Sequence, residues 1–374
     1  MSHLRARPKP ESSLRRKNSN SSLASSTTSD QKSRDGKSAK YRSPSYETVL
    51  ATKGSFMAES DLEVTDLSKG WCQKLLYEKQ KTPKDTFFKD DRFRTACQKL
   101  QSKNESRVIQ GISRLIVPSA EGLATNGAKD LENLVESVNE SWRSSLAFCG
   151  PLPQPDYAVG FARSAFSNTQ LEKLAPFIGE VPNLCNSYFL ATFYMHFPFL
   201  TCEVKCGASA LDIADRQNAH SMTLAVRAVA ELFKFVGREE EINREILAFS
   251  ISHDHRSVRI FTALDGKEKW TAYHFTRNVY DIWRPNHLSR VCSAIDDIPF
   301  RVDLGVSQPD PGSQSNVPSF TEGDDIQVTQ ASLVASVEVT PNSSFTEQTK
   351  QSKQAKQTIS NMAKKVRIMQ IANY

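Results

Sequence analysis

Apolar side chains first recur at helical spacing at Val108, Ile109, Ile112, Leu115 and Ile116, and Pro118 ends that run. Ser102 and Glu105 stand before it at the spacing of a capping box, which puts Glu105 on the face of the apolar stripe. A second helix is expected over about Lys129 to Leu146, burying Leu131, Leu134, Val135, Val138 and Trp142 and leaving Glu132, Glu136 and Glu140 on a solvated face. After Gly150-Pro151-Leu152-Pro153 the pattern turns strand-like from Asp156 to Phe161. A helix opened by Thr169 and Glu172 then runs to near Gly179. Tyr188 to Phe197 is strand-like again, and Pro198 is expected to separate it from a further strand over Phe199 to Cys206. These strands alternate little, as in a sheet covered on both sides. The strongest helix spans Ser209 to Val236, opened by Ser209 and Asp212 and closed by Gly237. Glu245 to Ser252 and Ser257 to Phe261 read as strands joined by a solvated tip, His253-Asp254-His255-Arg256. A broken helix over Lys267 to Trp283 and Pro285 to Ile295 completes an α/β layered domain over about residues 95 to 300.

Composition sets the limits of that domain. The first fifty residues are rich in Ser, Lys and Arg and poor in groups that bury area, so they read as disordered. Trp71, Leu75, Leu76, Phe87, Phe88 and Phe93 lie in a transition segment and are expected to clip onto the domain. The expected division is a basic arm and transition over 1–94, the domain over 95–300, and a disordered tail over 301–374 whose stretch Gln348 to Arg367 is basic and suited to a transient helix. The formal charge of +6 owes much to Arg5, Arg7, Lys9, Arg15, Arg16 and Lys17. Such an arm suits nucleic acid, a nuclear-import receptor and many other partners. No apolar signal core opens the chain, and the run Tyr188 to Leu200 is too short to span a bilayer. The expectation is an intracellular protein, nuclear or cytoplasmic. Seven scattered cysteines, an odd number without zinc spacing, point to reduced thiols.

Candidate chemistry gathers at Thr201-Cys202-Glu203-Val204-Lys205-Cys206. On a strand Glu203 and Lys205 share a face with Thr201, while Cys202, Val204 and Cys206 take the other. Two charges on an apolar strand are costly unless paired, hydrogen-bonded or bound to metal. A structural ion pair is the plain alternative. Asp156 offers a second carboxylate if its strand is a neighbour, although Asp after Pro155 is also an ordinary turn-former. Paired carboxylates without a His or Cys cage suit a hard cation such as Mg²⁺ or Mn²⁺. The acid-x-Lys tripeptide alone decides nothing, since Asp30-Gln31-Lys32, Asp35-Gly36-Lys37 and Asp265-Gly266-Lys267 match it too. No Ser-His-Asp order, nucleophile elbow, Walker loop or glycine-rich dinucleotide turn is present.

In order and context, Pro155-Asp156, Glu203-Val204-Lys205 and a following helix carrying Gln217 resemble the PD-(D/E)XK nuclease superfamily. More closely, the runs Leu152 to Phe161, Pro198 to Gly207 and Ala214 to Ser221 look like an uncharacterised fungal family with this core. The resemblance implies a restriction-endonuclease-like α/β fold, a central mixed β-sheet flanked by helices. It assigns metal binding to Asp156 and Glu203, assistance of hydrolysis to Lys205, and accessory places to Gln217 and Glu105. The expected function is metal-dependent hydrolysis of phosphodiester bonds, with DNA as the favoured substrate. A catalytically silent module that binds nucleic acid or protein is the alternative. The segment between Ile260 and Trp270 is short beside the fungal relatives, and the loss of a hairpin there is expected to leave a sheet edge incomplete.

Overall fold

The structure is a computed structural model that describes residues 2–8, 39–57, 63–179, 185–207, 211–260, 270–300 and 370–371. The chain divides into two compact units, 1–304 with 364–374, and 305–363; everything described belongs to the first. The arm over 9–38, the cap Ser209 and the basic stretch Gln348 to Arg367 lie outside the described residues.

The fold is α/β, with a mixed five-stranded sheet flanked by helices. Its strands are β1 (Leu134–Ser137), β2 (Tyr157–Phe161), β3 (His196–Val204), β4 (Phe249–His253) and β5 (Val258–Arg259), neighbours in that order. β3 and β4 are parallel and every other pair is antiparallel. The parallel pair requires a crossover, supplied by a long helix, α1 (Leu211–Phe235), which buries Met222, Ala225, Val229, Leu232 and Phe233. α1 covers the face that carries Thr201 and Ser252, and Asn218 ties it there: the amide accepts from Thr201 Oγ1 at 2.7 Å and donates to Ser252 Oγ at 2.9 Å and the Ile251 carbonyl at 3.0 Å. On the other face Phe249 packs against Phe275 and Trp283 from the C-terminal helices α2 (Thr271–Asn278) and α3 (Arg284–Asp296) and the π-turn between them. With both faces covered, every residue of β3 is buried.

Several expected elements take another form. The stretch Lys129 to Leu146 is not a helix: a short 3-10 turn, Lys129–Leu131, leads into β1, paired from Leu134↔Phe161 to Ser137↔Ala158. Leu131, Leu134 and Val135 satisfy either period, and pairing with β2 settles it. Pro198 lies inside β3 and does not end a preceding strand. Val159 pairs with Leu200 and Phe161 with His196, so Gly160 alone faces Phe197, Pro198 and Phe199 in a bulge of three residues against one, with Phe197 at φ 41°. Pro198 needs no ladder N–H there. The helix after β2, Asn168–Ile178, is capped by Ser167 and Gln170, two residues before the expected Thr169 and Glu172.

The N-terminal arm is also not wholly without structure. Leu4 is buried, and residues 39–57 form a strap along α1, including the short helix Ser45–Ala51. Arg216 donates to the Tyr41 carbonyl at 2.6 Å and to Glu47 at 2.9 Å, and His220 Nδ1 meets the hydroxyls of Tyr41 at 2.8 Å and Tyr46 at 3.2 Å. Composition averaged over fifty residues conceals these few anchors. Within the transition segment Leu75, Leu76 and Phe88 are buried as expected, whereas Phe87 is exposed.

Candidate active site

The site forms where β2 begins and β3 ends. The register that pairs Tyr157 with Cys202 and Ala158 with Thr201 carries Asp156, one residue before β2, opposite Glu203. Residues directly opposite in an antiparallel pair project to the same face, so the strand adjacency that the sequence left open is met. Asp156 Oδ2 accepts the Val204 backbone N–H at 2.8 Å, which fixes that carboxylate against the end of β3. Burial is nearly complete: Asp156 is 6 %, Glu203 2 % and Lys205 7 % exposed.

Lys205, just past the strand, is shared among several acceptors. Its ammonium donates to Glu105 at 3.1 Å and to the Val204 carbonyl at 2.8 Å, and lies 3.8 Å from Glu203. Burial disfavours this ammonium, but the nearby carboxylates of Glu203, Asp156 and Glu105 outweigh burial and raise its pKa above the ordinary lysine value. It therefore stays charged at neutral pH and partly neutralises the carboxylates around it.

Glu105 reaches Lys205 because it does not act as a capping residue. Asn104 is the N-cap, accepting the Arg107 N–H at 3.0 Å, and Glu105 opens the helix with its carboxylate turned to the ammonium. The helix continues through a π-turn, Ile109–Ser113, to Arg114–Ile116. Gln217 sits on α1 one residue before Asn218, and its Oε1 is buried without a hydrogen-bond partner among the described residues. Of the five expected residues, four are linked by position or contact: Asp156, Glu203, Lys205 and Glu105. Gln217 is placed on α1, the helix that covers the same face, and is not joined to them by a hydrogen bond or ion pair among the described residues.

Of the expected tip, Arg256 is exposed but the two histidines are not solvated. His253 closes β4 fully buried, accepts the Lys205 backbone N–H on its carbonyl at 2.9 Å, and its Nε2 meets Ser113 Oγ at 2.9 Å. Burial draws its pKa down to about 4, so the ring is neutral. His255 is buried too. Glu136, expected on a solvated helix face, is instead a hydrogen-bonded carboxylate on β1. It accepts from Ser119 Oγ at 2.7 Å and Tyr157 OH at 2.8 Å. Its signal in the sequence, one glutamate in a series spaced by four, pointed to the wrong element.

The donor set suits a hard cation: two carboxylates on adjoining strands, with a lone buried amide oxygen on the covering helix. No group of three His, Cys, Asp or Glu side chains among the described residues is arranged to hold a metal ion. Any such site therefore rests on Asp156 and Glu203, with remaining positions left to water or to substrate oxygens. All seven cysteines are free thiols, and no described helix is long and apolar enough to cross a membrane.

No curated protein and no solved structure matches the chain. A family model described as a domain of unknown function, DUF7924, matches residues 92–263 and 260–295. The two pieces meet at the connection that the sequence marks as short. Between them they hold the whole sheet, both carboxylates, Lys205, Glu105 and Gln217, while the strap over 39–57 lies outside them. Because these matches cover more than half of the 374 residues, the chain belongs to the DUF7924 family.

Proposed function

We propose that this protein is a metal-dependent nuclease-like hydrolase of phosphodiester bonds, with DNA as the favoured substrate. The observation that carries the reading is the register placing Asp156 opposite Glu203 with Lys205 two residues further along, its ammonium bridging Glu203 and Glu105. Asp156 and Glu203 are the residues that would hold Mg²⁺ or Mn²⁺. When bound at such a pair, the ion supplies polarisation of a phosphoryl oxygen and a water of lowered pKa. Lys205 brings a fixed positive charge to the place where charge grows on the phosphate, worth about 10²- to 10³-fold in rate for one such group. Glu105 orients that ammonium, and Asp156 is itself held by the Val204 N–H. The buried setting makes these charges act more strongly than they would in water.

The second reading is a catalytically silent module that binds nucleic acid or protein. The near-complete burial of Asp156, Glu203 and Lys205 favours it, because a duplex cannot touch side chains so enclosed without movement around them.

Calorimetry with Mn²⁺ on the full chain separates the two readings, using wild type beside Asp156→Ala and Glu203→Ala, each checked for folding. Binding to wild type that disappears in both variants, together with DNA cleavage lost in Lys205→Ala, is the expected outcome. Absence of Mn²⁺ binding by folded wild type, with and without DNA, moves the assignment to the silent module.

A further inference from the structure

The sequence marked His253 only as part of an exposed turn, and the reaction outlined above gives neither it nor Ser113 any part. Both are buried, and they join two elements that the candidate site needs. Ser113 closes the π-turn of the helix that opens at Glu105. His253 closes β4 and pairs with Val204 in the parallel register, and its carbonyl takes the backbone N–H of Lys205. The Ser113 Oγ to His253 Nε2 bond of 2.9 Å therefore completes a circuit: Lys205 backbone to His253, His253 ring to Ser113, helix to Glu105, and Glu105 carboxylate to the Lys205 ammonium at 3.1 Å.

We propose that Ser113 and His253 are a positioning pair that sets the reach of Glu105, and so decides how the Lys205 ammonium is divided between Glu105 and Glu203. Glu105 lies in the first turn of a helical run whose Val108, Ile112 and Ile116 are seated in the core. That apolar packing is not directional, and the ion pair and the Ser113–His253 bond add two polar ties, one at each end of the stretch from Glu105 to Ser113. The π-turn supplies the extra residue that brings Ser113 round to the sheet, a use of π-turns common at functional sites. His253 serves because its ring is held neutral by burial and carries hydrogen-bonding capacity on both nitrogens; Nδ1 faces the Asp254 carbonyl at 3.3 Å. With the pair in place the ammonium sits nearer Glu105 than Glu203, at 3.1 against 3.8 Å. Without it, Glu105 drifts and the ammonium settles on Glu203, where it competes with a cation for that carboxylate.

The inference rests on the proposed site, but its primary test needs neither metal nor DNA. The ¹⁵N–¹H resonance of the Lys205 ammonium is followed in the full chain, assigned with Lys205→Arg, in wild type, Ser113→Ala, Ser113→Thr, His253→Leu and His253→Gln. The expected result is a displaced resonance with faster hydrogen exchange in Ser113→Ala and His253→Leu, and a resonance close to wild type in Ser113→Thr and His253→Gln, which keep a hydrogen-bonding group in place. Glu105→Gln gives the reference displacement for a lost partner. If His253→Leu does not fold, Ser113→Ala decides. An unchanged ammonium resonance and exchange rate in folded Ser113→Ala overturns the proposal. Mn²⁺ binding is the second readout: Ser113→Ala weakens it, because the ammonium that moves onto Glu203 competes with the cation there. A wild type that binds no Mn²⁺ counts against the nuclease reading alone, and the lysine resonance still judges the positioning pair.

Discussion

Lys205 shows how much one buried charge depends on its neighbours. Its ammonium has lost water and received in return the Glu105 carboxylate, the Val204 carbonyl and the field of Glu203. Such an arrangement contributes little net stability compared with apolar packing, yet removing one partner from it is expensive. Lys205→Met is expected to destabilise the fold by about 3–5 kcal/mol at neutral pH, because carboxylates remain buried beside an apolar chain. Glu105→Gln costs less, since the Glu105 side chain is 27 % exposed and water replaces part of the loss. Denaturant midpoints recorded from pH 8 to 5 check this. The gap between wild type and Lys205→Met narrows as pH falls, because a buried carboxylate deprived of its cation takes up a proton. A gap that stays constant with pH removes electrostatics as the cause. At this scale Glu203 and Lys205 are legible from the sequence as charges at odds with an apolar pattern, and Asp156 as a carboxylate opening a strand-like run after Pro155. Glu105 was legible with the wrong explanation, since the cap it seemed to supply is made by Asn104.

At the scale of elements, the bulge in β3 determines how the central strand reaches the site. Gly160 faces three residues of β3, and a Cβ at that position would lie 2.5 Å from Met195 Cγ, 2.9 Å from the His196 carbonyl oxygen and 3.0 Å from Pro198 Cα. Two of those neighbours are backbone and cannot turn aside. Gly160→Ala is therefore expected to destabilise the protein by about 1–3 kcal/mol, the usual cost of overpacking a filled core. Thermal unfolding of the variant checks it; an unchanged midpoint would mean that the bulge relaxes freely. The same strand shows why element boundaries were harder to read than element types. Pro198 in a sequence reads as punctuation, and only the partner strand reveals that the ladder tolerates it. The stretch 129–146 failed for a related reason. Its apolar spacing fits two periods, and the choice belongs to β2, which lies outside the window being read.

For the whole molecule, the burial of histidines has a consequence for pH. Burial is the leading cause that draws His196, His220 and His253 down to about 4 and His287 to about 3, from an ordinary value near 6.5. The unfolded chain takes up protons below pH 6.5 that the folded chain refuses until much lower pH. Stability is thus fully present above about 6.5 and falls as pH drops toward 4, by up to ~1.4 kcal/mol per pH unit for each such histidine. Urea midpoints from pH 7.5 to 4.5 measure the slope, and His287→Phe is expected to flatten it. That ring stacks on Trp283 at 4.4 Å and its Nε2 has no partner among the described residues, so phenylalanine keeps the packing and removes the titration. A slope unaffected by His287→Phe assigns the acid sensitivity to other groups. The strap over 39–57 belongs to this scale as well, because Tyr41, Tyr46 and Leu50 bury themselves only where α1 already offers Arg216, His220 and Ala219.

What the sequence alone determined is the α/β class, the strands around Tyr157, Glu203 and Phe249 with the long helices between and after them, the free thiols, and the pair of charges on an apolar strand. Each of these follows from local period or from the cost of placing a charge among apolar residues, and both can be read within a short window. The tertiary structure alone decided that Asp156 stands opposite Glu203, that Glu105 turns to Lys205, and that His253 is a buried tie to Ser113. It also decided that residues 39–57 fold against α1. These contacts join residues roughly 50 to 180 positions apart along the chain. No local pattern encodes such a pairing; it is set by strand register and by which buried polar group finds a partner when the layers close.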